Sequence, residues 1–203
     1  MPYWQLIPCV TDIQRGSFSN MGVIQELAAD LKVQERTLRR AMSQGALRAG
    51  RLGPRRPWLA PGEREYLHAY WPLLSALRQA LRTEHRVRLA VLYGSLARGD
   101  ADEGSDLDLL VSSADDRLSV GYELATRLGR VSSRRVDVAQ LERVEAKAPL
   151  LLDRVLDEGR VLIDRDGQWN RLCESHSLIA ARARRAHNRQ MADAALAIKE
   201  LTA

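Results

Sequence analysis

The stretch from Gly94 to Asp108 constrains the chemistry of this 203-residue chain more than any other. Gly94 and Ser95 end one apolar run, and after ten intervening residues Asp106 and Asp108 open a second one. Aspartate is depleted in strands, and carboxylates are rarely buried without partners. Two aspartates in an otherwise apolar strand therefore predict a divalent metal site.

A third carboxylate has the same setting further along the chain. Side chains two residues apart on a strand point to the same face, so Asp106 and Asp108 share one face. Asp137 lies between two valines in a later predicted strand. If the two strands are neighbours, the three carboxylates can converge. Oxygen-rich sites suit Mg²⁺ or Mn²⁺ rather than zinc, and two such ions about 3.5–4 Å apart clamp the attacking and leaving oxygens of a phosphoryl transfer.

The Gly94-Ser95 turn has the properties of a phosphate-binding element. Gly94 lets the backbone approach a phosphate without interference from a Cβ atom. Ser95 offers a hydroxyl and a backbone N–H where a short helix starts, which favours anions. Arg98, one turn further on, can add a positive charge. We therefore expect Gly94, Ser95 and Arg98 to bind the polyphosphate of a nucleotide.

Composition indicates a globular protein without a disulfide framework. Hydrophobic residues make up 45% and charged residues 28% of the chain, and the net charge of +5 favours a polyanionic partner or an anionic substrate. Cys9 and Cys173 are the two cysteines, which make neither a disulfide framework nor a zinc site. No window of 18 consecutive apolar residues predicts a membrane span, and no secretory signal is recognisable. These features predict a cytoplasmic protein with no membrane partner.

Apolar periodicity predicts helices and strands along most of the chain. The N-terminal part is predicted to form two short helices and a hairpin, at about 20–31, 35–44 and 46–59. Pro72 lies inside a helical stretch over 61–83, where it predicts a kink or a break between two helices. Beyond it, strands are predicted at 87–93, 106–111, 134–141 and 161–163, and helices at 115–129, 142–159 and about 169–201. A break at Pro149 is an alternative within the second of these helices.

The spacing Gly94-Ser95, ten residues, then Asp106-x-Asp108 resembles the nucleotidyltransferase superfamily that includes DNA polymerase beta, and in particular its minimal nucleotidyltransferases. The resemblance covers about residues 85–165, and the pair Arg98-Gly99 and the run 158–165 are also similar to it. It implies that Asp106 and Asp108 bind both metal ions, and that Asp137 completes one metal site and helps to activate the attacking hydroxyl. It also implies that the Gly-Ser turn holds the terminal phosphates of the nucleotide.

A strongly basic segment precedes this region. From Lys32 to Arg56 the chain carries eight basic residues and one acidic residue, a net charge of +7. The order helix, tight turn, helix, hairpin resembles winged helix–turn–helix domains, which place the second helix in the major groove and a wing on the backbone. It predicts double-stranded DNA as a partner, contacted by Arg36, Arg39 and Arg40 on the helix and by Arg55 and Arg56 at the hairpin tip. The alternative is a helical adaptor that binds a protein or an RNA such as tRNA.

These observations predict an α/β (α+β) architecture in four segments. Residues 1–60 are predicted to form a mainly helical, winged helix–turn–helix-like domain, and residues 61–84 connecting helices. Residues 85–165 are predicted to form a small mixed-sheet nucleotidyltransferase domain, and residues 166–203 a C-terminal helical segment.

The resemblance implies transfer of a nucleoside monophosphate, from ATP or another nucleoside triphosphate, to an acceptor hydroxyl with release of pyrophosphate. Members of this subgroup act on proteins such as HEPN-type toxins, as parts of toxin–antitoxin pairs, or on tRNA. Two other functions stay open: modification of a small molecule such as an aminoglycoside, and a transcriptional regulator that only senses nucleotide. The basic C-terminal region argues against a cationic drug as substrate, and the three aspartates argue against sensing alone. A homodimer is one alternative for the oligomeric state.

Overall fold

The computed structural model describes residues 22–51, 57–114 and 118–201. Within these ranges the helices are α1 (Val23–Asp30), α2 (Glu35–Ser43), α3 (Glu63–Arg82), α4 (Gly94–Arg98), α5 (Leu118–Ser132), α6 (Leu141–Lys147), α7 (Pro149–Glu158), α8 (Gln168–Glu174) and α9 (His176–Leu201). The strands are β1 (Ala49–Arg51), β2 (Pro57–Leu59), β3 (Val87–Tyr93), β4 (Leu107–Ser113), β5 (Val136–Gln140) and β6 (Arg160–Asp164). None of the helices in these ranges combines the length and apolarity needed to cross a bilayer.

A four-stranded mixed sheet forms the centre of the molecule. Its strand order is β5-β4-β3-β6. β3 runs antiparallel to both β4 and β6, whereas β4 and β5 are parallel. The parallel pair needs a crossover connection, which α5 provides between β4 and β5. The structure thus confirms the predicted α/β fold with a small mixed sheet.

Helices cover both faces of the sheet. Neighbouring strand residues alternate between the two faces, so Leu109 lies in one apolar cluster and Leu110 in the other. The first cluster joins the sheet to α1, α2, α3, α4 and α5. The second joins it to α6, α7, α8 and α9. The aspartate-bearing face of β4 and β5 is the one that carries Leu110, and therefore the α6–α9 side.

The N-terminal elements have the predicted order of two helices and a hairpin. α1 and α2 are followed by β1, which pairs antiparallel with β2. The predicted turn at Gly53-Pro54 lies outside the described residues. Leu27 of α1 and Leu38 of α2 are fully buried in the same cluster as Leu74 of α3 and Leu162 of β6. The N-terminal helices therefore share one apolar core with the sheet, and the limits of the four predicted segments stay a prediction.

Pro72 does not divide the chain into two helices, because α3 is helical without interruption from Glu63 to Arg82. One helix therefore spans this region, and of the two alternatives predicted at Pro72 the break between two helices is wrong. A proline inside a helix costs about 3 kcal/mol. Pro72 itself is exposed, whereas Trp71 and Leu74 beside it are buried. Burial of each such side chain contributes roughly 1.5–3 kcal/mol, which offsets the cost of the proline.

Candidate active site

Gly94 occupies a position that only glycine can fill without strain. It ends β3 and begins α4 with a φ of +76°, in the left-handed region that side chains disfavour. A Cβ atom at this position would also overlap Oδ2 of Asp108. The backbone of the turn therefore lies directly against a carboxylate of the predicted metal site. The Ser95 hydroxyl beside it makes no hydrogen bond to any described residue.

Strand pairing brings two of the three predicted aspartates side by side. β4 and β5 are neighbours in the sheet, and Asp108 is the register partner of Asp137. Asp106 lies immediately before β4, with 34% of its side chain exposed, and Asp137 is 58% exposed. Tyr93 is the register partner of Asp108 on the other side. Tyr93, Asp108 and Asp137 thus form a row across three strands on one face of the sheet.

Negative charge accumulates along this row. The pKa of the Asp108 carboxyl is raised, first by partial burial and then by the carboxylates of Asp137, Asp106 and Glu158. Burial, followed by the carboxylates of Asp108, Asp137 and Glu158, raises the pKa of Tyr93 to about 12. A face on which like charges destabilise one another is one that a cation stabilises.

An arginine lies between two of the predicted metal ligands. Nη2 of Arg135 is 2.6 Å from Oδ2 of Asp106 and 3.4 Å from Oδ2 of Asp137. Arg135 was not expected from the sequence, although it comes two residues before Asp137, immediately ahead of β5. Its side chain is 72% exposed and can therefore leave the site without unpacking the core. The guanidinium supplies positive charge where a metal ion was predicted.

The donor set fits a hard divalent cation, since carboxylate oxygens are the ligands that Mg²⁺ and Mn²⁺ prefer. As the side chains stand, no group of three His, Cys, Asp or Glu residues in the described part of the chain is close enough to hold one ion. Two of the three predicted aspartates, Asp106 and Asp137, are instead paired with Arg135. The metal-binding roles of Asp106, Asp108 and Asp137 stay a prediction.

Glu158 was missed as a functional residue, and it organises the turn. Its Oε1 accepts a hydrogen bond of 2.8 Å from the backbone N–H of Gly94. Its Oε2 pairs with Nη1 of Arg98 at 2.9 Å, and Arg98 also pairs with Asp100 at 3.1 Å. The predicted phosphate-binding Arg98 is thus held beside Gly94 by the last residue of α7. The signal in the sequence was the run beginning Glu158-Gly159, which resembled the family without indicating a role for Glu158.

A buried polar network supports the far end of α4. Arg160 and Glu63 are 1% and 2% exposed and form a two-pronged ion pair, with distances of 2.7 and 3.0 Å. Nε of Arg160 donates to the Ala97 carbonyl at 2.7 Å, and its guanidinium lies 3.4 Å from the ring centroid of Tyr66. The Tyr66 hydroxyl donates to the Leu96 carbonyl at 3.1 Å. These bonds satisfy carbonyls at the end of α4 that the helix itself leaves free.

The same network reaches the N-terminal segment. The backbone N–H of Arg48 donates to Oε1 of Glu63 at 3.0 Å, and Nη2 of Arg48 donates to the Glu158 carbonyl at 3.0 Å. Arg48, in the segment between α2 and β1, therefore contacts α7, the helix that carries the Glu158 side chain. The N-terminal elements are part of the structure that holds the Gly94-Ser95 turn.

The predicted DNA-contacting arginines do not all face the same way. Arg36, Arg39 and Arg40 lie exposed on α2. Arg39 pairs with Glu35 on the same helix. Arg36 and Arg40 face α3 and line a cleft between the two helices. Arg55 and Arg56 lie outside the described residues.

Comparison with known proteins identifies the family. The model of the family described as polymerase beta, nucleotidyltransferase, matches residues 75–168. A protein of Methanocaldococcus jannaschii, named as a candidate protein adenylyltransferase, is 36% identical over 80 residues, which are 37% of this chain and 78% of that protein. The chain belongs to the polymerase beta nucleotidyltransferase family. The matched region contains every predicted catalytic and nucleotide-binding residue, and this chain is a nucleotidyltransferase.

Solved structures with a related arrangement include members of toxin–antitoxin complexes. A toxin–antitoxin crystal structure with AMP-PNP has a TM-score of 0.43 and 21% identity, over 64% of this nucleotidyltransferase and 98% of that chain. A complex of a tri-AMPylated Shewanella oneidensis HEPN toxin with an MNT antitoxin has a TM-score of 0.40 and 21% identity. The match covers 64% of this nucleotidyltransferase and 97% of that chain. Similarity at this level has no bearing on the substrate.

Proposed function

We propose that this nucleotidyltransferase transfers AMP from ATP to a hydroxyl group of an acceptor protein, with Mg²⁺ or Mn²⁺ as cofactor. In this reaction the acceptor oxygen forms a bond to the α-phosphorus, the bond from that phosphorus to the bridging oxygen of the β-phosphate breaks, and pyrophosphate leaves. The hydroxyl proton is lost to a base. The observation that carries the proposal is the placement of Asp108 opposite Asp137 and directly against Gly94.

Each predicted residue has a role in this scheme. Asp106, Asp108 and Asp137 would hold the metal ion, and Asp137 would help to remove the proton of the hydroxyl. Mg²⁺ bound there would supply the positive charge that neutralises the leaving phosphates and acidifies the acceptor hydroxyl. Ser95 would bind the terminal phosphates through its backbone N–H and its hydroxyl, and Gly94, whose own N–H donates to Glu158, would let them approach the turn without interference from a Cβ atom. Arg98, fixed by Glu158, would add positive charge beside them.

A protein is the acceptor that we favour, because the relative from Methanocaldococcus jannaschii is named for protein adenylylation. A HEPN-type toxin is the specific acceptor suggested by the resemblance to minimal nucleotidyltransferases. Transfer to tRNA or to an aminoglycoside uses the same chemistry at the α-phosphorus. The acceptor must therefore be identified by experiment.

The reaction is tested by following the α-phosphate and the γ-phosphate of ATP separately. The enzyme is incubated with Mg²⁺ and ATP labelled in either the α- or the γ-phosphate, with purified candidate toxins, total tRNA or an aminoglycoside as acceptors. GTP, CTP and UTP serve as competing donors. The proposal predicts acceptor labelling from the α-phosphate only, on protein, and none by the variant Asp106→Asn/Asp108→Asn. Labelling from the γ-phosphate, or equal labelling by that variant, would contradict it.

We also propose that α2 contacts double-stranded DNA, which would suit a protein that regulates its own operon. Support comes from the helix–helix–hairpin order of the N-terminal elements and from the exposed positions of Arg36, Arg39 and Arg40 on α2. A mobility-shift assay with the upstream DNA tests this, since binding through phosphate contacts weakens steeply with salt. Unchanged binding by Arg39→Gln/Arg40→Gln would contradict the role of α2. A protein that binds DNA but labels no acceptor would instead be a nucleotide-sensing regulator.

A further inference from the structure

A basic cleft lies between α2 and α3, outside the candidate active site. Its volume is about 630 Å³, within the range of small-ligand sites. It has four arginines, three further polar side chains and one aromatic side chain: Arg36, Arg40, Arg78, Arg82, Thr37, Ser75, Gln79 and Trp71. Two of the arginines come from each helix. The cleft therefore depends on the relative placement of the two helices.

The positive charge in this cleft is not neutralised by the described part of the protein. No described carboxylate forms an ion pair with any of the four arginines. Arg78 shows the consequence most clearly: burial, followed by the neighbouring charges of Arg82 and Arg40, lowers its pKa to about 10. Like charges held together in this way destabilise one another, so an anion that enters the cleft is strongly favoured.

The floor of the cleft is rigid. Arg78 is only 7% exposed, and its Nη1 donates a hydrogen bond of 3.2 Å to the Val161 carbonyl. Its Nη2 donates to the side chain of Gln44, just after α2. These bonds hold the guanidinium in place but do not neutralise its charge. Arginines held in advance lose less side-chain entropy on binding a phosphate than free ones do.

The cleft is distant from the Gly94-Ser95 turn. Tyr66, near the start of α3, contacts α4 through the Leu96 carbonyl. Arg78 and Arg82 are 12 and 16 residues further along the same helix, which at 1.5 Å per residue places them about 18 and 24 Å from Tyr66 along its axis. A nucleotide held at Gly94 and Ser95 therefore does not reach the cleft.

We propose that this cleft is a second anion site, which binds a ligand carrying two or more clustered phosphate groups. Arginine forks bind phosphate oxygens in pairs, and the hydroxyls and amide of the cleft add hydrogen-bond donors. The phosphates can come from the backbone of a nucleic acid or from a free polyphosphate such as a nucleotide. The site is independent of the adenylyl-transfer proposal, because it uses none of the same residues, whereas it shares Arg36 and Arg40 with the proposed DNA contact of α2.

The test removes the two exposed arginines at either side of the cleft while leaving Arg78 in place. Arg36→Gln/Arg82→Gln is compared with Arg130→Gln/Arg154→Gln, which removes the same charge from exposed positions on α5 and α7. All proteins also carry Asp106→Asn/Asp108→Asn and are kept in EDTA, so that the active site does not contribute. Binding of tripolyphosphate is measured by calorimetry, and binding of a short duplex DNA by fluorescence anisotropy. Thermal melting checks that each variant is folded.

Loss of two charged contacts is expected to weaken binding about tenfold or more in the cleft variant. For DNA, the slope of log affinity against log salt should also fall in magnitude by about 2. Weaker binding of DNA alone would assign the cleft to a nucleic-acid backbone, and weaker binding of tripolyphosphate alone to a free polyphosphate; either result supports the site. Equal binding of both ligands by the cleft and control variants, or no binding of either ligand by the parent protein, would overturn it.

Discussion

Glu158 accepts a hydrogen bond from the backbone N–H of Gly94 at 2.8 Å, and so joins the end of α7 to the first residue of α4. Its second carboxylate oxygen is occupied by Arg98. The predicted phosphate-binding residues are therefore positioned by a side chain from an element 64 residues away in sequence. Arg160, two residues later, holds the other end of α4 through the Ala97 carbonyl.

This arrangement predicts a graded response at position 158. Glu158→Ala leaves the Gly94 N–H without its acceptor and frees Arg98, and it should raise the KM for ATP about tenfold. Glu158→Gln keeps an oxygen that can accept from Gly94 and loses only the ion pair with the exposed Arg98, so its KM should rise by at most about fivefold. Steady-state kinetics of both variants, with Glu174→Ala as an exposed control, give the comparison. Equal effects of the two substitutions would argue against a positioning role.

Gly94→Ala should abolish activity, because the added Cβ would displace Asp108 as well as strain the backbone. Displacement of a reacting group by about 1 Å can cost about a hundredfold in rate. Gly62→Ala is the matched control, since Gly62 has nearly the same φ, +74°, with no atom within 4 Å of the new Cβ position. It should lose about 1–2 kcal/mol of stability and keep its rate. Similar rates for the two variants would mean that the contact with Asp108 does not matter.

Arg135 should compete with the metal ion for Asp106 and Asp137. Exposed ion pairs are worth about 0.2–1 kcal/mol, so Arg135→Gln should lower the Mg²⁺ concentration at half-maximal rate by about two- to fivefold. Titration of activity with Mg²⁺, with Arg130→Gln to control for the loss of one charge, measures the effect. If Arg135→Gln instead requires more Mg²⁺, Arg135 assists the site rather than competing for it.

The pair Glu63–Arg160 should be the ion pair most important to stability among those described. Both side chains are fully buried, so Glu63→Gln leaves Arg160 charged without its partner and should cost about 3–5 kcal/mol. Glu26→Gln removes a carboxylate from the exposed pair with Arg64 and should cost less than about 1 kcal/mol. Urea unfolding of the two variants measures the difference. A loss below about 1 kcal/mol in Glu63→Gln would show that the network contributes little.

The sequence was most informative where the relevant contacts are local. The Gly94-Ser95 turn and the spacing to Asp106 and Asp108 predicted two adjacent strands and the loop between them, and the structure contains both. The pairing of β4 with β5 was a condition of the prediction for Asp137, and the structure meets it. Apolar periodicity predicted most of the remaining elements for the same reason, since it depends on neighbours only a few residues apart. The stretch about 169–201, predicted as helical, is divided into α8 and α9 in the structure.

Contacts between distant segments were not predictable in the same way. Glu158 reaches Gly94 only because α7 packs against α4, and no local pattern encodes that. The cleft of Arg36, Arg40, Arg78 and Arg82 depends on where α2 lies relative to α3. The break predicted as one alternative at Pro72 is absent because the local cost of the proline is opposed by the burial of Trp71 and Leu74, which depends on distant segments.

The most direct test of the central claim is the rate of AMP transfer from α-labelled ATP by Asp108→Asn and Asp137→Asn. Each substitution keeps the shape of the side chain and removes the charge that would bind the metal. Asp193→Asn, an exposed position on α9, is the matched control. We expect both site variants to lose about a hundredfold or more in rate, with the control unchanged and all three equally stable. Transfer at the control rate by Asp108→Asn and Asp137→Asn would show that this face of the sheet is not where the chemistry occurs.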